Sequence, residues 1–351
     1  VVRVRNNTIE RILFFIYLKN MDNISILKQI GNTPLIKLKQ ASDLTGCNIY
    51  GKAEYFNPGE SVKDRAALFI VEDAIKNNKI RKGGIIVEGT AGNTGIGLAI
   101  VAKAYGLSLK IVIPKTQSIE KKKTLKDLGA ELIEVDAVPY SNPNNYIKQS
   151  KKIAEELSNS NNNGVVWANQ FDNIVNTESH IKTTAQEIWT QTAGLVDGFV
   201  CAVGTGGTLS GVSIGLKEKN KNIRIALSDP MGSSLYSHIK FNKLENSGSS
   251  ITEGIGTGRV TKNFEKALVN DAFQVTDEEA LNIIFKLKED QNIELGGSSG
   301  VNIAGAIKLA KQMGPGKNIV TILCDPGKRY ASKIYNKKFL KSKNLPVPSW
   351  L

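Results

Sequence analysis

Ile85-Ile86-Val87-Glu88-Gly89-Thr90-Ala91-Gly92-Asn93-Thr94-Gly95 is the stretch on which the fold turns. Its apolar opening, ending at Glu88, reads as a strand covered on both faces. Glycines then punctuate a turn, and a helical pattern follows over 95–105. A strand passing through a glycine-rich turn into a helix is the building unit of an α/β sheet. The same alternation extends in both directions. Strands are predicted over 48–52, 85–88, 109–113, 131–135, 164–167, 199–203, 223–228 and 319–324. Helices are predicted over 64–76, 119–129, 145–158, 178–192, 277–289 and 299–313. Several strands are unbroken Ile/Val/Leu runs, so the expected class is α/β, with parallel sheets flanked by helices. There is no internal repeat, and the one low-complexity patch, 158–164, reads as a surface loop.

Of the 351 residues, 41% are apolar, enough for a large core in one or two domains. The net charge of +13 raises the question of a nucleic-acid surface. The basic residues are dispersed, however, and the densest groups, 121–123 and 337–343, are not interleaved with aromatics. A solvated basic surface is the expected reading, with no nucleic-acid partner, and attraction of small anionic substrates is the alternative. No apolar run reaches the ~18–20 residues of a membrane-spanning helix, so no membrane association is expected. Cys47, Cys201 and Cys324 are far apart, and His180 and His238 are the only histidines. That pattern predicts neither a disulfide framework nor a metal site, and it suits the cytoplasm. Residues 1–20 carry three arginines ahead of a short apolar run, 12–18, with no cleavage pattern behind it. They read as a poorly ordered extension preceding Met21. Four basic residues and one acidic residue lie in it, leaving +10 on the remainder.

Three further glycine-rich turns sit where strands meet helices or loops: 57–65, 204–208 and 296–300. Turns of this kind present free backbone N–H groups near the positive end of a helix dipole, a natural anion site. Two such loops with Ser and Thr hydroxyls predict a ligand carrying a phosphate at one end and a carboxylate at another. Nucleotide fingerprints fail: Leu209 breaks GxGxxG after Gly204 and Gly206, and no GxxxxGK[ST] occurs. Two histidines leave little scope for a Ser-His-Asp triad. Acid–base work therefore falls to Lys63, placed behind Pro58-Gly59 at a helix start, where partial desolvation suits a Schiff-base amine and proton carrier.

At these residues the sequence resembles a family. NTPLIKL (32–38), PGESVKDRAAL (58–68), TAGNTGIGLA (90–99), IPKTQSIEKKKTLKDLGAEL (113–132), NQFDN (169–173), GTGGTLSGV (204–212) and GGSSG (296–300) occur in family order. They are similar to the pyridoxal-phosphate-dependent cysteine synthases (O-acetylserine sulfhydrylases) and to the catalytic core of cystathionine β-synthases, over roughly 21–335. The resemblance implies a two-domain, fold-type II enzyme like the tryptophan synthase β chain, with pyridoxal 5′-phosphate between the domains. It implies a larger domain of 21–64 plus 177–335, a smaller mobile substrate domain of 65–176, and a tail of 336–351.

The resemblance also implies roles. Lys63 is the lysine that bonds the cofactor and moves the α-proton. Gly204, Thr205, Gly206, Gly207 and Thr208 form the phosphate cup, Ser298 partners the pyridine nitrogen, and Asn93 bonds the 3′ oxygen. Thr90, Ala91, Gly92, Thr94 and Gln170 hold the substrate carboxylate, under the loop at Gly254. A neutral Ser298 limits electron withdrawal, favouring β-elimination over transamination. The implied reaction replaces the acetate of O-acetyl-L-serine with sulfide through an aminoacrylate, giving L-cysteine. The family further implies a homodimer and a serine acetyltransferase C-terminus as partner. Three departures stand out: Ala91 replaces the usual serine, Glu60 replaces a smaller residue or aspartate, and 229–259 differs from the commonest members. Arg259, in that segment, reads as a surface arginine, with binding of an anionic leaving group such as phosphate as the alternative. A cystathionine β-synthase-type or phosphoserine-dependent reaction is the alternative within the class, and a non-catalytic binder on the same fold the alternative outside it.

Overall fold

The computed structural model describes residues 24–90 and 92–351. The extension expected over 1–20, and Ala91, lie outside the described residues. The chain opens with β1 (Leu35–Lys37), α1 (Lys39–Thr45), β2 (Asn48–Ala53) and α2 (Lys63–Lys76). Next come β3 (Ile85–Gly89), α3 (Asn93–Tyr105), β4 (Ser108–Pro114), α4 (Ile119–Asp127), β5 (Glu131–Val135), α5 (Tyr146–Ser158) and β6 (Val165–Trp167). After these lie α6 (Val175–Lys182), α7 (Thr184–Gln191), β7 (Gly198–Cys201), α8 (Gly207–Lys219), β8 (Arg224–Pro230) and α9 (Leu235–Phe241). The chain closes with β9 (Asp271–Val275), α10 (Asp277–Gln291), α11 (Gly297–Met313), β10 (Asn318–Leu323), a 3-10 turn at Gly327–Tyr330 and α12 (Lys337–Ser342).

The strands form two sheets, ordered β1-β2-β10-β7-β8-β9 and β5-β4-β3-β6. Every pairing is parallel except the edge pair β1–β2. The α/β class expected from the sequence is thus the observed one. β10 shows why its sequence is apolar throughout. Ile319 and Leu323 face one core layer, while Val320 and Ile322 face the layer on the other side of the sheet. The loops leaving the carboxyl ends of β3, β7 and β10 are the glycine-rich turns at 90–93 and 204–207 and the turn at 324–327. Such ends are where parallel α/β sheets hold ligands. No helix among the described residues is long and apolar enough to cross a membrane.

Four features differ from expectation. The helix expected over 178–192 is two helices, starting at Val175 and broken at Thr183 (φ −121°, ψ −74°). There the Thr183 N–H and hydroxyl both donate to the Ser179 carbonyl (3.1 and 2.6 Å), so the break lies in the backbone angles of Thr183 itself. Strands β1 and β9 are sheet edges, with only one neighbour each and no long apolar run to announce them. Helix α8 is rich in glycine and serine, poor helix formers. Its glycines serve packing: a Cβ at Gly211 would lie 2.4 Å from the Thr177 carbonyl, and one at Gly215 2.6 Å from Ala185. Close approach of α6 and α7 replaces the missing propensity. Finally, the segment expected as a tail carries α12, whose Leu340 is fully buried, and the Trp350 ring packs edge-on against Phe285.

One buried ion network fixes the start of α2. Arg65 Nε and Nη2 donate to the Glu54 carboxylate (2.7 and 2.8 Å), while Nη1 and Nη2 donate to Glu187 (2.6 and 2.8 Å). Lys52, also buried, pairs with Glu187 at 2.6 Å, and the Thr33 hydroxyl donates to Glu54. Burial raises the carboxyl of Glu187, but Arg65 and Lys52 outweigh it and hold it at about 2. Arg65→Met leaves the Glu54 carboxylate buried without its main partner, so about 3–5 kcal/mol of stability should be lost in urea unfolding. Adding Glu54→Gln should return part of that loss. A loss below ~1 kcal/mol in the single variant contradicts the assignment of this network as the anchor of α2.

Candidate active site

Between the two sheets lies a cavity of ≈ 560 Å³. Lys63 opens α2 at its floor, placed there because the Val62 N–H donates to the carbonyl of Cys324 at the end of β10 (3.1 Å). Asn57 braces the preceding loop, donating from Nδ2 to the carbonyls of Glu54 and Ser61 (2.9 and 3.2 Å). The Lys63 ammonium has no hydrogen bond or ion pair with another side chain among the described residues.

The wall from the four-stranded sheet is the turn after β3. Thr90, Gly92, Asn93 and Thr94 line it, and Gln170 joins them from the loop after β6. The Thr94 hydroxyl donates to Gln170 Oε1 (2.6 Å), which leaves the Gln170 amide nitrogen as the donor, 3.4 Å from the Gly89 carbonyl. Gly92 sits at φ +141°, and a Cβ there would meet the Lys121 side chain at 2.6 Å. Lys121 needs that space: it is buried, ion-paired with Glu253, and lies 4.6 Å over the Tyr330 ring.

The opposite wall comes from the turn after β7 and from α11. Gly204, Thr205, Gly254 and Ser298 line the cavity, while Gly206, Gly207 and Thr208 form the turn behind them, at the amino end of α8. This turn is built around missing side chains. A Cβ on Gly204 would fall 2.2 Å from the Gly254 carbonyl, and one on Gly207 2.1 Å from Asn176 Oδ1. Gly206 adopts φ +90°. The result is a tight turn at the positive end of a 13-residue helix, the geometry that receives a phosphate. Thr205 Oγ1 accepts from Asn176 Nδ2 (3.0 Å), and Thr208 Oγ1 lies 3.2 Å from His180 Nε2. Burial and then the charge of Arg65 lower His180 to about 3, so its ring is neutral at physiological pH. The glycine cradle, the hydroxyls and the unpaired lysine fit pyridoxal phosphate: an anion seat for its phosphate and an amine for its aldehyde.

Several residues in or just behind the cavity wall carry no motif that singled them out in the sequence. Asp325 and Arg329 contact Asn93, Glu253 pairs with Lys121, and Tyr140 lines the mouth. The turn 324–327 follows a strand end, as the glycine-rich turns do, and that position was the available signal. Arg259 lines the cavity rather than the outer surface, where its Nη1 and Nη2 donate to the two oxygens of Asp172 (3.1 and 3.0 Å) and its guanidinium lies over Tyr140 and Phe171.

Comparison with known proteins agrees with this geometry. Residues 26–325 match the family described as pyridoxal-phosphate dependent enzyme. Cysteine synthase 1 of Neurospora crassa is 48% identical over 321 residues, spanning 90% of this chain and 84% of that protein. The cysteine synthase of Dictyostelium discoideum is 44% identical, spanning 92% of this chain and 86% of that protein. Among solved structures, the O-acetylserine dependent cystathionine beta-synthase of Helicobacter pylori superposes with a TM-score of 0.80. It is 33% identical, and the match covers 89% of this chain and 98% of that one. The chain belongs to the pyridoxal-phosphate-dependent enzymes, with the α/β fold of their fold-type II members.

A buried carboxyl stands near the end of β3, just before the turn that carries Thr90. Glu88, at 1% exposure, has Oε2 without a hydrogen-bond partner, and burial pushes its carboxyl up to about 8. Burial likewise raises Asp64, beside Lys63, to about 7. Each group therefore binds its proton more tightly folded than unfolded. Their contribution to stability is complete below the ordinary carboxylate range and is lost as pH rises through about 7–8. The thermal midpoint should fall between about pH 6.5, above the range in which the neutral His180 adds stability as pH rises, and pH 8, and Glu88→Gln should make that fall shallower. An unchanged slope in Glu88→Gln contradicts a protonated Glu88.

Proposed function

We propose that this chain is a cysteine synthase, replacing the acetate of O-acetyl-L-serine with sulfide to give L-cysteine and acetate. The observation that carries the choice of donor is the charge pairing in the cavity. Of the described cations lining it, Lys121 is neutralised by Glu253 and Arg259 by Asp172, leaving Lys63 as the one without an ion pair. A doubly charged phosphate leaving group would need a free cation at the mouth, whereas an acetyl ester needs none. The names of the Neurospora and Dictyostelium relatives support the same reading.

Bound pyridoxal phosphate supplies an electron sink for the α-carbon of an attached amino acid. Lys63 Nζ takes the α-proton, the bond from the β-carbon to the ester oxygen breaks, and acetate departs with its electron pair. Hydrosulfide then adds to the β-carbon and Lys63 returns the proton to the α-carbon, so atoms and charge balance. Thr90, Gly92, Thr94 and Gln170 hold the substrate carboxylate through the Thr90 hydroxyl, backbone N–H groups and the Gln170 amide, which the Thr94 hydroxyl orients. Gly254 keeps the opposite side free of a side chain, and Gly204–Thr208 hold the cofactor phosphate. The segment 65–176 closes over the substrate. The working form is a homodimer in the cytoplasm, its cavity mouth open to a serine acetyltransferase C-terminus. Three free cysteines suit a reducing compartment, although a yeast relative 38% identical is named as mitochondrial. Light scattering and cell fractionation test these two points.

The decisive assay offers O-acetylserine, phosphoserine and serine, each with sulfide or homocysteine. O-acetylserine with sulfide should be fastest, Lys63→Ala should lower the rate by at least about 10²–10⁴-fold, and Arg259→Ala should leave the donor order unchanged. Faster turnover of phosphoserine, abolished in Arg259→Ala, overturns the donor assignment. Homocysteine outpacing sulfide moves the reading to a cystathionine β-synthase, the activity named for the Helicobacter protein.

A further inference from the structure

We propose that Asp325 and Arg329 are positioning residues that lock the amide of Asn93, so that it offers the cavity one N–H donor. Asn93 Nδ2 donates to Asp325 Oδ2 at 2.6 Å, and Arg329 Nη1 donates to Asn93 Oδ1 at 2.7 Å. Both partners are charged and nearly buried, Asp325 at 1% and Arg329 at 8% exposure. Turning the amide over would set its NH₂ against a guanidinium and its carbonyl against a carboxylate. Two charge-assisted bonds would be lost at once, so a single orientation is enforced.

The two clamping residues are themselves held. The Tyr330 hydroxyl donates to Asp325 Oδ2 (2.7 Å). The Gly296 N–H donates to the Asp325 carbonyl (3.0 Å), and a Cβ on Gly296 would strike Asp325 Oδ1 at 2.2 Å. Arg329 Nη2 donates to the Gly59 carbonyl, on the loop that leads to Lys63, and Glu60 lies 3.6 Å away. Glu60, which departs from the family pattern, sits at φ +54° and pairs with Lys328 as well as Arg329. It offsets positive charge behind the clamp.

An amide nitrogen carries two hydrogens, and Asp325 takes one. The second remains, on a side chain that lines the cavity, while Oδ1 is turned toward Arg329. The cavity therefore meets Asn93 as a donor, and a donor favours an ionised oxygen over a neutral hydroxyl. This inference rests on the reading that Asn93 faces the 3′ oxygen of pyridoxal phosphate. On that reading, Asp325 and Arg329 keep the oxygen ionised without touching it.

The test compares Asn93→Ala, Asp325→Ala, Asp325→Asn and Arg329→Met, all loaded with pyridoxal phosphate. It reads the absorption spectrum of the bound cofactor and its dissociation constant. Asp325→Ala should shift intensity from the visible band to the near-ultraviolet band and weaken cofactor binding about tenfold. Asp325→Asn keeps an acceptor for Asn93 Nδ2 and should restore both readouts to within about twofold, which a merely structural role for the charge would not do. Arg329→Met should shift the spectrum in the same direction, and it carries the test where Asp325→Ala does not fold. A changed spectrum in Asn93→Ala with wild-type spectra in Asp325→Ala and Arg329→Met overturns the clamp alone. An unchanged spectrum in Asn93→Ala overturns the placement of the cofactor oxygen beneath it, and the clamp with it.

Discussion

Arg65 is a cation almost wholly out of water, and its position governs much else. Two carboxylates meet it, Glu54 from the end of β2 and Glu187 from α7. Desolvating these charges is costly, so the geometry has little freedom to relax. Because Arg65 stands two residues after Lys63, the same constraint fixes the first turn of α2 and the direction in which the lysine leaves it. Lys63 is carried on a short helix start braced from three elements, and its own ammonium remains free for chemistry.

The cavity is joined across its width by three polar contacts between chain segments far apart in sequence. Asn93 meets Asp325 and Arg329, Lys121 meets Glu253, and Arg259 meets Asp172. Each runs from a segment associated with the four-stranded sheet to one associated with the six-stranded sheet. The cations in two of them are consumed in holding the walls together. What is left for a ligand is a set of donors with little net charge, which favours recognition by hydrogen-bond direction over attraction at a distance.

Much of this could be read from residue order, and the limits have physical causes. The turns at 57–65, 90–95, 204–208 and 296–300 are legible because a close backbone approach demands glycine within a few consecutive residues. The fully buried strands are legible because both faces are apolar. By contrast, the partners of Asn93 lie 232 and 236 residues downstream, and no local pattern links them. Helix α8 is obscured because its glycines answer to neighbouring helices rather than to helix propensity. The break at Thr183 is a change of backbone angles at a residue that is neither glycine nor proline, and edge strands β1 and β9, three and five residues long, are too short to leave a periodic mark.

The neutral His180 has a consequence for the glycine turn at the start of α8. The turn there presents backbone amides and two threonine hydroxyls, and behind Thr208 stands an imidazole that burial and the Arg65 charge lower to about 3. Across the range in which cells live, none of its own groups changes charge. An anion received there would meet backbone and hydroxyl dipoles, with the fixed charges of Lys63 and Arg65 near enough to be felt at His180. The site hands the titration over to its guest.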